Sequence, residues 1–239
     1  MTRTALITGA SRGLGAALAR FLAAEGYDLI LTARHREALN SVVAEVRSVG
    51  ATATGVAGDV SDATHRTELF ERVAAGNGLD LLVNNASELG PTPLPGLVDY
   101  PTAELARVYA VNVLAPVALV QGLRSSLATR HGWVVNLSSD AAVGGYPGWG
   151  GYGASKAALD LVSATLAHEL APEGITVVSV DPGDMRTTMH QSAFPGEDIS
   201  DRPLPEATLP FWAWLLHQEG AHVSGHRFRA QAERWEVPA

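Results

Sequence analysis

Short runs of apolar residues alternate along the chain with longer segments whose apolar positions recur every three or four residues. The short runs are Ala5–Thr8, Asp28–Ala33, Thr52–Val56, Leu79–Val83, Trp133–Leu137, Thr176–Val180 and Arg227–Arg229. Most are uniformly apolar rather than alternating, as strands buried on both faces of a parallel sheet read. The segments between them carry helical periodicity. Leu14–Glu25 places Leu14, Ala17, Leu18, Phe21 and Leu22 on one stripe, the spacing of a helix that faces a core. Arg36–Val49, Ala63–Ala74, Ala103–Ala128, Ala154–Leu170 and Leu209–Gln218 follow. Pro116 is expected to bend the fourth of these helices. Strand and helix alternate from end to end. That rhythm predicts an α/β fold, a doubly wound parallel sheet of about seven strands with right-handed crossovers and helices on both faces. No Ser- or Pro-rich linker divides the chain and no repeat appears, so residues 1–239 read as a single domain.

Glycine and proline cluster at Gly90–Gly96 and Gly144–Gly153, and an irregular stretch runs Pro182–Pro205. The last two follow the fifth and sixth strands. They fall at the carboxyl rim of the sheet, where open α/β folds bind ligands, and are expected to shape a substrate site.

Composition narrows the function classes. The chain has no cysteine, which removes disulfide frameworks and thiolate metal sites. Apolar residues make up 46% and charged residues 18%, which excludes a disordered chain. A formal net charge of −8 argues against a nucleic-acid partner and against docking on anionic lipid. No run approaches the roughly 18 apolar residues of a membrane span. The opening MTRTALITG enters a strand-like run instead of a secretory signal. A cytoplasmic protein is the expectation.

The first candidate site follows the first strand, at Thr8-Gly9-Ala10-Ser11-Arg12-Gly13-Leu14-Gly15. Gly9 permits a tight turn, Gly13 lets backbone approach a phosphate, and Gly15 lets the helix pack close to the sheet. The helix N-terminus adds unpaired N–H groups and a positive dipole end. Gly9-Ala10-Ser11-Arg12-Gly13 is also a literal G-x-S-x-G, the pattern of a hydrolase nucleophile elbow. An elbow this early has no upstream strand to supply a second oxyanion donor, and it has no use for the third glycine. The second strand ends in Ala33-Arg34-His35-Arg36, where a binder of NAD carries an acidic residue for the ribose 2′-hydroxyl. Arg34, with Arg12 able to reach the same corner, suits a 2′-phosphate through its planar fork of donors. NADP(H) is the expected cofactor.

The second candidate site is Tyr152-Gly153-Ala154-Ser155-Lys156. Tyr152 and Lys156 stand four residues apart and share a helical face. An ammonium near a phenol favours phenolate and is expected to draw the tyrosine pKa down from about 10, making it an acid and base usable near neutrality.

TGASRGLG, Asp59-Val60, Asn84-Asn85-Ala86, Asn112, Asn136-Leu137-Ser138-Ser139, Tyr152-Gly153-Ala154-Ser155-Lys156 and Pro182-Gly183 with Thr187 occur in this order. With these motifs the chain resembles the classical short-chain dehydrogenase/reductases over nearly its full length. The resemblance implies a Rossmann-type fold, a nicotinamide cofactor and carbonyl/alcohol chemistry on a small-molecule substrate. Tyr152 matches the acid/base that protonates the carbonyl oxygen, and Ser139 the serine that hydrogen-bonds the same oxygen. Lys156 matches the lysine that lowers the tyrosine pKa and holds the nicotinamide ribose. Asn112 matches the asparagine that holds a water of the proton relay. Gly9, Ser11, Arg12, Gly13, Leu14, Gly15 and Arg34 match the cofactor's phosphate side. Asp59 looks like an acceptor for the adenine amino group with the Val60 backbone beside it, and Asn85 and Ala86 look like ribose-side contacts. Asn84 reads as structural. Pro182, Gly183 and Thr187 resemble the segment that grips the nicotinamide amide and the phosphates. The family usually forms tetramers or dimers, and the stripe of Ala157, Ala158, Leu161, Ala164 and Thr165 suits such a contact.

The sequence also departs from the family. Ser87 takes the place of the usual glycine after Asn-Asn-Ala and is expected only to add a hydroxyl near the ribose. Asp181 replaces a common asparagine, and Asp140, Asp184 and Arg186 add charge near the nicotinamide segment. His190 and Gln191 are weighed as substrate-facing, with Tyr146, Trp149, Met185 and Met189 as candidate pocket walls. Trp212 and Trp214 read as helix core or an oligomer face. The resulting expectation is an NADP(H)-dependent ketone or aldehyde reductase, reversible to an alcohol dehydrogenase. The alternative is a cofactor-sensing regulatory protein on the same fold, which would not need Tyr152 and Lys156.

Overall fold

The computed structural model describes residues 2–237. Seven strands form one sheet: β1 (Arg3–Thr8), β2 (Tyr27–Ala33), β3 (Ala53–Ala57), β4 (Leu81–Asn84), β5 (Trp133–Leu137), β6 (Thr176–Asp181) and β7 (Arg227–Arg229). Their order is β3-β2-β1-β4-β5-β6-β7, and every pair is parallel. This is the Rossmann-type doubly wound sheet expected from the α/β rhythm. The order in which strands are added reverses between β1 and β4, although the two run parallel, and this opens a crevice above their carboxyl ends.

The uniform apolarity of the strands has a simple cause. In β1, Ala5 and Ile7 face one helical layer, while Leu6 between them faces the other, and all three are fully buried. On the first face α1 (Gly13–Ala24), α2 (Arg36–Ser48) and α8 (Leu209–Leu216) cover Leu29, Leu31 and Val180. On the second, α3 (Ala63–Ala74), α5 (Ala115–Arg130) and α6 (Gly150–Leu170) cover Leu82, Val134 and Val177.

The predicted helix Ala103–Ala128 is not one regular helix. It divides into α4 (Thr102–Tyr109), a π turn over Ala110–Leu114, and α5. The break precedes Pro116 rather than sitting on it. Pro116 cannot donate to the Asn112 carbonyl four residues earlier, and its ring would press on that carbonyl in a regular helix. The wider π turn, closed by Ala115 N–H donating to Ala110 O, relieves this. The stretch Thr102–Arg130 is long and apolar enough to span a bilayer by length and composition. Here Leu119, Leu123 and Leu127 are spent against the sheet.

Two short helices were not foreseen, α7 (Thr188–Ala193) inside the irregular stretch after β6 and α9 (Gly220–Val223). Each is too short to show periodicity. Trp212 is core, buried with Phe211, while Trp214 packs on Phe228 and Trp235.

Candidate active site

A cavity of about 690 Å³ opens at the carboxyl ends of the strands. Its floor is the turn between β1 and α1. Gly9 and Gly13 both adopt positive φ, at 67° and 55°, where any other residue would be strained. A Cβ on Gly15 would overlap the Gly9 carbonyl oxygen and come within 2.6 Å of Asn85 Nδ2. Gly15 therefore permits the close meeting of α1 with the turn, and it lies behind the cavity wall. Arg12, the residue before α1, gives no side-chain cap. The first N–H groups of α1 accordingly face the cavity floor with the positive dipole end. Across from them stands Thr187, whose methyl is 3.4 Å from where a Gly13 Cβ would sit. Its hydroxyl accepts from His190 N and starts α7.

Asn85 does a different job from the one expected. Its Nδ2 donates to Thr8 O at 2.8 Å and to Gly9 O at 3.2 Å. The Thr8 hydroxyl in turn accepts from the Asn85 and Ala86 N–H groups. The asparagine clamps β4 onto the glycine turn. Asn84 is structural as anticipated, bonding Asn136 Oδ1 at 2.8 Å, and Asn136 reaches Ser163.

At the end of the cavity beside β2 and β3, Arg12, Arg34, Asp59 and Val60 line it together. Partial burial of Asp59 favours its neutral form. Two hydrogen bonds from Ser61 and the Arg34 charge outweigh this and hold the carboxyl below the usual range. Behind it, the buried His65 bonds Thr32 Oγ1 at 2.7 Å, and burial depresses its pKa.

At the other end α6 begins at Gly150, four residues earlier than its periodicity suggested, so Tyr152 lies in its first turn. Lys156 is 1% exposed, and its Nζ donates to Leu137 O at 2.7 Å, at the end of β5. The same Nζ is 5.5 Å from the Tyr152 ring centroid. Ser139 sits two residues past β5 and lines the cavity beside the phenol. The expected lowering of the tyrosine pKa is not what the site shows. Burial pushes Tyr152 up to about 12, opposed by hydrogen bonding with Ser87 and Ser139 and reinforced by Asp181 and Asp140. Burial also pushes Lys156 down to about 8, with Asp160 opposing. A dry site disfavours phenolate and ammonium alike.

Ser87 is thus more than an extra hydroxyl near a ribose. It touches the phenol and also donates to Asn112 Oδ1 at 3.2 Å. Asn112 is fully buried and lies outside the cavity wall. Its Oδ1 accepts from Glu88 N, and its Nδ2 donates to Glu88 O and Ser155 Oγ. The side chain is committed to pinning the loop after β4 to α6, so a water here would have to use its main-chain carbonyl.

A charged network behind the site escaped the sequence reading. Arg227, on β7, donates to Asp160 at 3.0 Å, to Asp181 at 3.1 Å and to the Ser139 carbonyl at 2.8 Å. Ser138 donates to the same Asp160 oxygen. Asp181, noted only as a departure, is the buried partner of that arginine. Pro182 and Gly183 follow it on the wall, with Gly183 N donating to Asp181 Oδ1. Among the candidate pocket walls, Tyr146, Trp149, Met185, Met189 and His190 line the cavity. Gln191 turns to solvent and bonds Phe194 O and Glu197 O instead.

The short-chain dehydrogenase family model matches residues 3–198. The chain belongs to the short-chain dehydrogenases. Against this short-chain dehydrogenase, an L-xylo-3-hexulose reductase of Hypocrea jecorina is 38% identical, over 98% of this chain and 82% of its own length. A short-chain dehydrogenase structure from Pseudomonas syringae superposes with a TM-score of 0.90 at 33% identity, covering 96% of this chain and 94% of the other. One from Shigella flexneri, complexed with NADP, gives 0.88 at 30%, covering 96% and 97%. An NAD+-bound xylitol dehydrogenase gives 0.84 at 26%, covering 95% and 96%. Membership makes this short-chain dehydrogenase an oxidoreductase. The uncapped α1 N-terminus, the positive-φ glycines of the turn and the two arginines on the cavity wall fit a nicotinamide dinucleotide.

Proposed function

We propose that the protein is an NADP(H)-dependent carbonyl reductase acting on small to medium ketones or aldehydes, reversible toward secondary alcohols. The observation that carries this reading is the shared hollow of Tyr152, Lys156 and Ser139, continuous with the glycine turn and Arg34. The bound cofactor supplies or accepts the hydride. The chain's own residues do the rest. Ser139 and Tyr152 donate to the carbonyl oxygen as charge grows on it, and Tyr152 gives up the proton. Lys156, held by the Leu137 carbonyl, steadies the phenolate side of that transfer and the ribose. Arg34, with Arg12, takes the 2′-phosphate, Asp59 and Val60 the adenine, and Pro182, Gly183 and Thr187 the nicotinamide side. Apolar walls from Trp149, Met189 and Phe194 exclude water from the reacting oxygen. A cytoplasmic homo-oligomer, tetramer or dimer, completes the reading. It is supported by an exposed stripe of Ala157, Leu161 and Thr165 on α6.

The test follows NADPH absorbance against a panel of activated ketones and aldehydes. Turnover is expected, and Tyr152→Phe is expected to remove at least 99% of it while cofactor affinity stays within about twofold. Cofactor binding without turnover on any substrate would instead favour a sensing role, and an unchanged rate in Tyr152→Phe would remove Tyr152 from the chemistry.

A further inference from the structure

Glu88 follows Ser87 at the loop leaving β4, and its side chain is 12% exposed. The strand order places β1 between β2 and β4, so Glu88 faces the end of β2 across the glycine turn. There its Oε2 meets Arg34 Nη1 at 3.4 Å and, more tightly, Arg107 Nη1 of α4 at 2.7 Å. Oε1 accepts from Gly90 N at 3.3 Å. The main chain is held on both sides, since the Asn112 side chain accepts from Glu88 N at 2.7 Å and donates to Glu88 O at 2.9 Å. The carboxylate is therefore fixed in place by a π turn, a helix and its own loop.

Arg34 is not fixed. Its side chain is half-exposed, and its contact with Glu88 is the long one of the two. Both residues line the cavity, whereas Arg107 stands outside it. We propose that Glu88 is a coenzyme-selectivity residue that works against the adenosine 2′-phosphate by sharing the Arg34 guanidinium from a position it cannot leave. Resting on the nicotinamide-dinucleotide reading above, this adds a residue that blunts the preference Arg34 creates.

The physics fixes the sign. A 2′-phosphate carries a charge near −2 and takes the mobile guanidinium through its fork of donors. Arg107, Gly90 and Asn112 keep the carboxylate where it is, so the two anions stay near one another. An uncharged ribose 2′-hydroxyl meets no such repulsion, and a carboxylate is the acceptor type that suits it. The chain should therefore bind both coenzymes, with a narrower preference for NADP(H) than Arg34 alone would give.

The experiment measures dissociation constants by fluorescence or calorimetric titration, with no substrate present. The probes are 2′,5′-ADP, 5′-AMP, NADP+ and NAD+. Glu88→Gln keeps the shape and the Gly90 bond while removing the charge, and is expected to tighten 2′,5′-ADP and NADP+ about tenfold. 5′-AMP and NAD+ should stay level or weaken. In an Arg34→Met background the gain should vanish, because the coupling runs through that guanidinium. Glu88→Met serves as a second charge-removing variant and must move selectivity the same way. An unchanged or falling NADP+/NAD+ selectivity in Glu88→Gln, or a gain that persists without Arg34, overturns the proposal. Failure of the unaltered protein to bind either dinucleotide would instead overturn the underlying coenzyme reading.

Discussion

At the scale of single residues, the site is governed by what burial does to charge. Tyr152 at about 12 and Lys156 at about 8 are both displaced toward their neutral forms. Hydrogen bonds to the phenol oppose that displacement, so Ser87 and Ser139 matter more than polarity alone suggests. Ser87→Ala should raise the phenol pKa further. The alkaline rise of alcohol oxidation, which needs phenolate, is expected to move up by about 1 pH unit. A pH profile of kcat/KM in the oxidative direction checks this, and a profile identical to that of the unaltered protein would detach Ser87 from the phenol. His65 supplies a stability test. Burial lowers its pKa, so the unfolded chain binds the proton more readily than the folded one. Its contribution is complete above about pH 6.5 and is lost as pH falls through that value toward the folded pKa. His65→Gln should flatten the fall in urea-unfolding stability across this window.

At the scale of elements, β7 is short and lies at the sheet edge, yet it secures the site. Arg227 ties it to β6 through Asp181, to α6 through Asp160 and to the segment after β5 through the Ser139 carbonyl. Asp181 is only 4% exposed at its side chain. Removing the arginine leaves a buried carboxylate without its cation. Arg227→Met is expected to cost about 2–4 kcal/mol in chemical denaturation, and a loss below about 0.5 kcal/mol would show that the network is idle. The π turn before Pro116 is a second device of this kind. It carries Asn112 to the loop after β4, which a straight helix with a proline bend would not do.

At the scale of the whole molecule, the sheet order creates one crevice, and chemistry gathers there because the carboxyl ends of β1, β4, β5 and β6 converge on it. The remaining unspent apolar surface includes Leu161 at 71% exposure and Leu114 at 63%. With Ala157 and Thr165 beside it on α6, Leu161 marks a face suited to a second copy of the chain. Light scattering should give a mass above that of one chain, and Leu161→Glu should lower it. A monomer at micromolar concentration would remove the oligomer from the reading.

The strand runs, the glycine turn, the tyrosine–lysine spacing and the arginine after β2 were all legible in the amino-acid order. Each depends on local backbone demands or on a fixed helical or strand period, which neighbours in sequence express. Which side chains are already spent was not legible. Asn85 and Asn112 are committed to backbone groups, Ser87 reaches the phenol, and Arg227 meets residues as far as 88 positions away. Those assignments follow from how helices are seated on the sheet. The same packing withdraws water from Tyr152 and Lys156, and so sets their charge against the direction that proximity alone would give.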